Sequence, residues 1–243
     1  MASSLRINLI KFTINVIERF TFEKKLRKYY KQALGSGINV IIDVGSNKGQ
    51  TIDFFLKINP NCTIYGFEPN PSLYSYLEKK YEHLKNIRLF NMGVSSQNGE
   101  LIFNENILNH TSTFENLNKD SEYLKKKARI LGVPVDKIIK NSYPVKTITL
   151  SEFIQTNVNS DIDILKIDTE GHEYSCLVGL FNSKLNVNIK YLQLESHNDD
   201  MYQGTNTSGE IADLLKQNNF ELVKKIAHQI GDFDELIYLN NKI

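Results

Sequence analysis

The sequence predicts an α/β fold, a doubly wound sheet with helices on both faces and a helical extension in front of it. Three observations predict it. Short apolar runs rich in Val and Ile alternate with segments of helical period from about residue 38 onward. Two of those runs, Asn39–Val44 and Ile162–Ile167, end abruptly in glycines and charged side chains, as strands do that finish at a ligand crevice. The last two runs, 221–226 and 235–239, are close enough to pair as an antiparallel hairpin.

Residues 5–34 read as helix, with Leu5, Leu9, Phe12, Val16 and Phe20 at three- and four-residue steps, then Leu26, Tyr29, Tyr30 and Ala33. Gly35-Ser36-Gly37 stops that pattern, dividing a basic extension (1–36) from the main domain (37–243). Strand 39–44 leads to a helix from 49 to about 58, and strand 63–67 to a helix from 72 to about 83. Strand 87–92 follows, and the Gln-Asn-Gly turn at 97–99 suggests that it forms a hairpin with 100–103. Residues 104–142 show no strand but do show a charged helical stretch, 118–131. A long insertion inside a compact domain suggests a lid. Strand 145–149, a short helix from 151, strand 162–167, helix 173–181, strand 189–194 and helix 208–218 precede the final pair.

Composition narrows the function. With 41% hydrophobic and 23% charged residues the chain is an ordinary globular one, and its net charge of +1 argues against nucleic acid as the main partner. The first 34 residues carry +6, leaving −5 for the rest. An amphipathic helix packed on the sheet or on a second subunit accounts for the basic segment, so a homodimer is one expectation. Weak contact with a membrane surface is the competing one. Cys62 and Cys176 have no metal-ligand spacing and read as small buried hydrophobes in a reducing compartment. No apolar run approaches the ~18 residues of a membrane span, and Lys11 and Glu18 interrupt any signal-like stretch. The expected location is the cytoplasm.

Asp43-Val-Gly45-Ser46-Asn47-Lys-Gly49 follows a strand and opens a helix, the context a glycine-rich nucleotide loop requires. Its pattern is D-x-G-x-x-x-G, neither the dinucleotide G-x-G-x-x-G nor a P-loop. Such a loop suits the amino-acid part of S-adenosylmethionine. Glu68 closes the next strand, where an acid can accept from ribose hydroxyls, and Pro69-Asn70-Pro71 ends that strand.

IIDVGSNKGQ, YGFEPNP, SQNGE at 96–100, VKTITLSEF and above all DILKIDTEGHE followed by IKYLQLES resemble the FkbM-type methyltransferases, in order, from about Asn39 to Leu239. The resemblance implies a Rossmann-like seven-stranded class I methyltransferase sheet with an antiparallel last strand. It also implies S-adenosylmethionine as cofactor and O-methylation, in many members of a sugar hydroxyl on a glycan or natural product. Residues 1–34 and 104–142 lie outside the shared motifs.

Methyl transfer to a hydroxyl needs the donor, an acceptor oxygen in line with it, and removal of a proton. Lys166 and Asp168 share one face of their strand, and Glu170 and His172 follow on the loop and first helical turn. His172 or Glu170 could act as base. Equally, Asp168 and Glu170 could serve the helix N-terminus, Thr169 could be its N-cap, and His172 could be structural. Lys166 in an apolar strand requires an ion pair, with Asp168 or Glu195. Glu195 and His197 end the following strand, and His110 and Ser112 form a short polar stretch in the insertion. These four are candidate acceptor contacts. The oxygens and nitrogens near Asp168 would suffice for a divalent ion, but nothing in their spacing demands one, so no metal is assigned. A metal-assisted methyltransferase of small molecules and a non-catalytic nucleotide-binding module stand as alternatives.

Overall fold

The structure, a computed structural model, describes residues 23–35, 37–107, 111–197, 200–203, 208–227 and 233–242. It begins with a helix, α1 (23–34), whose expected first half lies outside the described residues. Then follow β1 (Val40–Val44), α2 (Gln50–Leu56), β2 (Thr63–Phe67), α3 (Pro71–Tyr81), β3 (Ile87–Phe90), β4 (Gly93–Val94) and β5 (Gly99–Asn106). After these come α4 (Glu122–Leu131), a 3-10 turn (Val135–Lys137), β6 (Ile139–Ile148), α5 (Leu150–Asn157) and β7 (Ile162–Ile167). The chain closes with α6 (Glu173–Phe181), β8 (Ile189–His197), α7 (Ser208–Gln217), β9 (Phe220–Ala227) and β10 (Phe233–Asn240).

Seven strands form one sheet in the order β3-β2-β1-β7-β8-β10-β9. All neighbours are parallel except β10, which runs antiparallel to both β8 and β9. The order reverses between β1 and β7. A crevice opens at such a reversal, beyond the carboxyl ends of the strands. Asp43 lies opposite Lys166 there, so the two most telling strands of the sequence are direct neighbours.

Both sheet faces are covered, and the period-two alternation of each strand decides which side chains go where. Ile42, Val44, Leu165, Ile167, Leu192 and Leu194 join one buried cluster with Phe153 of α5 and Cys176, Leu177 and Leu180 of α6. Ile41, Ile164 and Ile237 join the other with Ile52 and Phe55 of α2, Leu77 and Tyr81 of α3, and Leu26 and Tyr30 of α1. Helix starts follow their side chains. Asn70 accepts the Ser72 and Leu73 amides ahead of α3, with Pro71 in its first turn, and Ser121 and Thr149 cap α4 and α5.

Three expectations need correction. β3 does not pair with the strand after the Gln-Asn-Gly turn; β4, β6 and β5 form a separate three-stranded sheet. The turn's polar groups explain this, because Thr149 N–H donates to Asn98 and the Thr147 hydroxyl to the Gln97 carbonyl, tying the turn to the end of β6. The insertion is therefore less strandless than expected, since β5 runs on to Asn106 and β6 begins at Ile139. Strand 145–149 belongs to this small sheet and not to the main one. Among the described residues, no helix is long and apolar enough to cross a membrane.

Candidate active site

The loop between β1 and α2 is held tightly against its neighbours. Gly45 has φ 90°, and a Cβ there would come within 1.9 Å of the Asp168 carbonyl oxygen, so only glycine lets the two strand ends meet. Its amide and that of Ser46 both donate to the Phe67 carbonyl. Asn47, at φ 48°, donates its amide to Glu68 at 2.7 Å, and the Asn70 amide reaches the other Glu68 oxygen at 2.8 Å. At Gly49, φ is 81° and a Cβ would collide with the Tyr81 hydroxyl. The Pro69 carbonyl, with that of Glu68, accepts from Asn91.

Two buried carboxylates face this loop. Asp43 is fully buried, and among the described residues neither of its carboxylate oxygens has a hydrogen-bond partner. The Ser46 hydroxyl donates to the Asp43 backbone carbonyl at 3.2 Å and leaves the carboxylate itself unpaired. Burial dominates and leaves the pKa raised, against the pull of Lys166. Burial also pushes Glu68 up to about 8, opposed by the Asn70 and Asn47 amides and reinforced by Asp43 and Asp168.

At the end of β7, Lys166 pairs with Asp168 at 2.7 Å. Burial works to discharge this ammonium. Asp168, Glu235 and Asp43 outweigh it and hold its pKa well above the usual range. Glu170 sits at φ 56° and accepts the Tyr202 hydroxyl at 2.6 Å. Carboxylate oxygens of Asp168, Glu170 and Glu195 lie within 4.8 Å of one another. His172 is buried and both ring nitrogens are engaged, Nδ1 with Glu115 at 2.6 Å and Nε2 with the Ser95 hydroxyl at 2.9 Å. None of the anticipated side chains caps α6 at its N-cap position, which is His172 itself. Glu173 reaches back instead, accepting the Thr169 and Gly171 amides.

The insertion grips this same loop. Phe114 packs on the His172 ring, and Glu115 supplies its carboxylate partner. The segment 116–121 pairs with residues 200–203 through Asn118 N to the Met201 carbonyl and Gln203 N to the Asn116 carbonyl. Leu117, Leu124, Ala128, Met201 and Tyr202 share a small core. Of the anticipated acceptor contacts, Glu195 joins the carboxylate group, whereas the Ser112 hydroxyl is occupied by the Asn106 amide. His110 and the His197 side chain lie outside the described residues. Ser95, Glu115, Glu173 and Tyr202 were not singled out from the sequence. Only Glu173, at the first position of a helix, had a local signal that could have marked it.

Residues 43–222 match the model of the Methyltransferase FkbM domain. The chain belongs to the FkbM methyltransferase family. It is 24% identical over 220 residues, 89% of this chain and 86% of the other, to the 2-O-methyltransferase NoeI of Sinorhizobium fredii. It is 22% identical over 193 residues, 77% and 71%, to the hexuronic acid methyltransferase AglP of Haloferax volcanii. In fold it is similar to the N-methyltransferase NodS of Bradyrhizobium japonicum, with a TM-score of 0.50 at 9% identity over 93% of this chain and 97% of that one. This FkbM protein is a methyltransferase, and its cofactor is S-adenosylmethionine. The residues present fit that donor. Asp43 offers a buried carboxylate with no hydrogen-bond partner among the described residues, suited to a cationic amino group, and each Glu68 oxygen accepts one amide and keeps a lone pair for a hydroxyl.

Proposed function

We propose that the protein methylates a hydroxyl of a sugar, on a glycan or a glycosylated natural product. The observation that carries this reading is the family match over 43–222, which spans both carboxylate-bearing strand ends. Its two relatives support the acceptor class, one by the 2-O position in its name and the other by its hexuronic acid.

Asp43, Glu68 and the loop Gly45–Gly49 would hold the donor, which supplies an electrophilic methyl group on a sulfonium. The chain's own task is to place a hydroxyl and take its proton. Lys166 cannot accept a proton while three carboxylates keep it charged. For His172 to act directly, its Nε2 would have to leave Ser95. Glu170 is the better base, because its carboxylate stands beside Asp168 and Glu195 and is oriented by the Tyr202 hydroxyl. Asp168, fixed by Lys166, would accept from the substrate and orient it, and His172 would position the loop through Glu115 and Ser95. In this reading the described part of the insertion, 111–138, forms the acceptor-side wall.

Calorimetry with S-adenosylhomocysteine tests the donor half. Wild type should bind, and Asp43→Ala and Glu68→Ala should each weaken binding. Glu170→Gln should bind S-adenosylhomocysteine as wild type does and lose about 10²–10⁴-fold in methyl transfer to a glycoside. Full activity in that variant removes Glu170 from the mechanism.

A further inference from the structure

The small sheet reaches the end of β2. Phe103 pairs in register with Tyr143 and Glu105 with Asn141, so Phe103, Glu105 and Tyr143 share one of its faces. That face is turned toward the site. The Phe103 ring lies 5.9 Å from Tyr143 and 5.1 Å from Phe114, whose ring is 5.3 Å from His172. Glu105 is buried, and its two oxygens accept from Lys140 and Asn141. Burial raises its pKa, but Asn141, Lys140 and the Asn70 side chain outweigh it and hold the carboxylate below its usual range. Asn70 is also the residue whose amide holds Glu68.

The Tyr143 hydroxyl is sealed from solvent and, among the described residues, has no hydrogen-bond partner. A buried polar group left this way is costly. Burial pushes its pKa up to about 12, and Glu105 and Glu68 add to the rise. The charges around it are thus two carboxylates, neither bonded to it. Both Glu105 oxygens already have donors, whereas each Glu68 oxygen keeps a lone pair. A hydroxyl between Tyr143 and Glu68 would accept from the first and donate to the second. An ammonium could not accept, and a carboxylate could not donate. We propose that Tyr143 is a donor-binding residue whose hydroxyl donates to a ribose hydroxyl of S-adenosylmethionine while Glu68 accepts from that ribose. The small sheet then forms one wall of the adenosine site. This rests on Glu68 holding the ribose, as the donor half of the proposed function requires.

The experiment is calorimetry of wild type, Tyr143→Phe and Glu68→Ala with S-adenosylhomocysteine and with its 2′-deoxy and 3′-deoxy analogues. Urea unfolding of the ligand-free proteins accompanies it. Tyr143→Phe should bind S-adenosylhomocysteine about five- to tenfold more weakly than wild type. Toward one of the two deoxy analogues, the one lacking the hydroxyl it touches, the two proteins should agree within about twofold. The ligand-free urea midpoint should not fall in Tyr143→Phe, because the substitution removes a group that has no partner to lose. Undiminished binding by Tyr143→Phe overturns the inference and leaves Glu68 in place. An equal loss toward all three ligands also overturns it, and a lowered ligand-free midpoint alongside would assign the hydroxyl to the fold. Undiminished binding by Glu68→Ala removes the ribose placement and the inference with it.

Discussion

Glu68 is buried, closes β2 and ties Asn47 to Asn70, and its pKa is displaced upward from 4.5 to about 8. Between those values the folded chain holds a proton that the unfolded chain has released. Stability therefore falls as pH rises through that window. Urea midpoints of the wild type should decline from pH 5 to pH 8.5, and Glu68→Gln should flatten the decline. Hydroxyl donors favour the charged carboxylate, so donor binding should release a proton and tighten between pH 6.5 and 8.5. Binding enthalpies that do not depend on the buffer's ionisation enthalpy would sink that part. Gly45 is a steric case. Gly45→Ala puts a methyl 1.9 Å from the Asp168 carbonyl at φ 90°, and should cost about 2 kcal/mol or more in urea unfolding while weakening S-adenosylhomocysteine. Both residues were legible in the sequence, because a glycine loop and an acid closing the next strand are local patterns. The partners of His172 were not, since Glu115 and Ser95 stand 57 and 77 residues away and no spacing announces them.

At the scale of elements, the loop from β7 to α6 is held from two sides by the insertion and its partner segment. Glu115 holds His172, Tyr202 holds Glu170, and Glu173 ties the loop amides to the helix it opens. The two grips should respond differently to substitution. His172→Ala leaves Ser95 and Glu115 without their partner and should cost about 2–4 kcal/mol in urea unfolding. Tyr202→Phe removes the hydroxyl that bonds Glu170 and should cost only about 1 kcal/mol of stability. It should nonetheless lower kcat about tenfold, because Glu170 in its left-handed backbone loses the group that aims it, with S-adenosylhomocysteine affinity unchanged. Equal losses of stability in the two variants would deny that division. The alternation of strands and helices was legible because each element's period is local. The small sheet was misread because a Gln-Asn-Gly turn looks the same whether its flanking strands pair with each other or lie on either side of a third. Here Asn98 and Gln97 bond to β6, and only the folded chain brings them together.

Across the whole molecule, one face of the main sheet carries a buried polar row. Asp43, Lys166, Gln193 and Glu235 come from β1, β7, β8 and β10 and are at most 6% exposed. The row is continuous with the site, since Lys166 bonds Asp168 at the strand end, and Gln193 donates to Glu235 at 2.9 Å. Helix α1 covers it. Tyr30, fully buried, donates its hydroxyl to Gln193 at 2.7 Å and packs on Phe55 and Tyr191. The described part of the basic N-terminal segment thus shields the charges that tune the far end of β7. Asp163, in the same strand, marks the contrast. It lies at the opposite end, accepts the Asn39 and Val40 amides and pairs with Lys190, and so serves the sheet alone. Tyr30→Phe keeps the ring packing but leaves a buried Gln193 oxygen without its donor, which should cost about 1–3 kcal/mol by urea titration. Leu26→Ala, one turn earlier on the same helix and purely apolar, should cost about 2–4 kcal/mol through its cavity. The pair separates packing from polarity. If the row transmits to the site, Tyr30→Phe alone should alter the pH dependence of methyl transfer, because Glu235, freed to shift with Gln193, helps hold the charge on Lys166. Identical pH profiles in both variants would reduce α1 to a cover for the core, and the polar row to a structural feature that ends where the strands do.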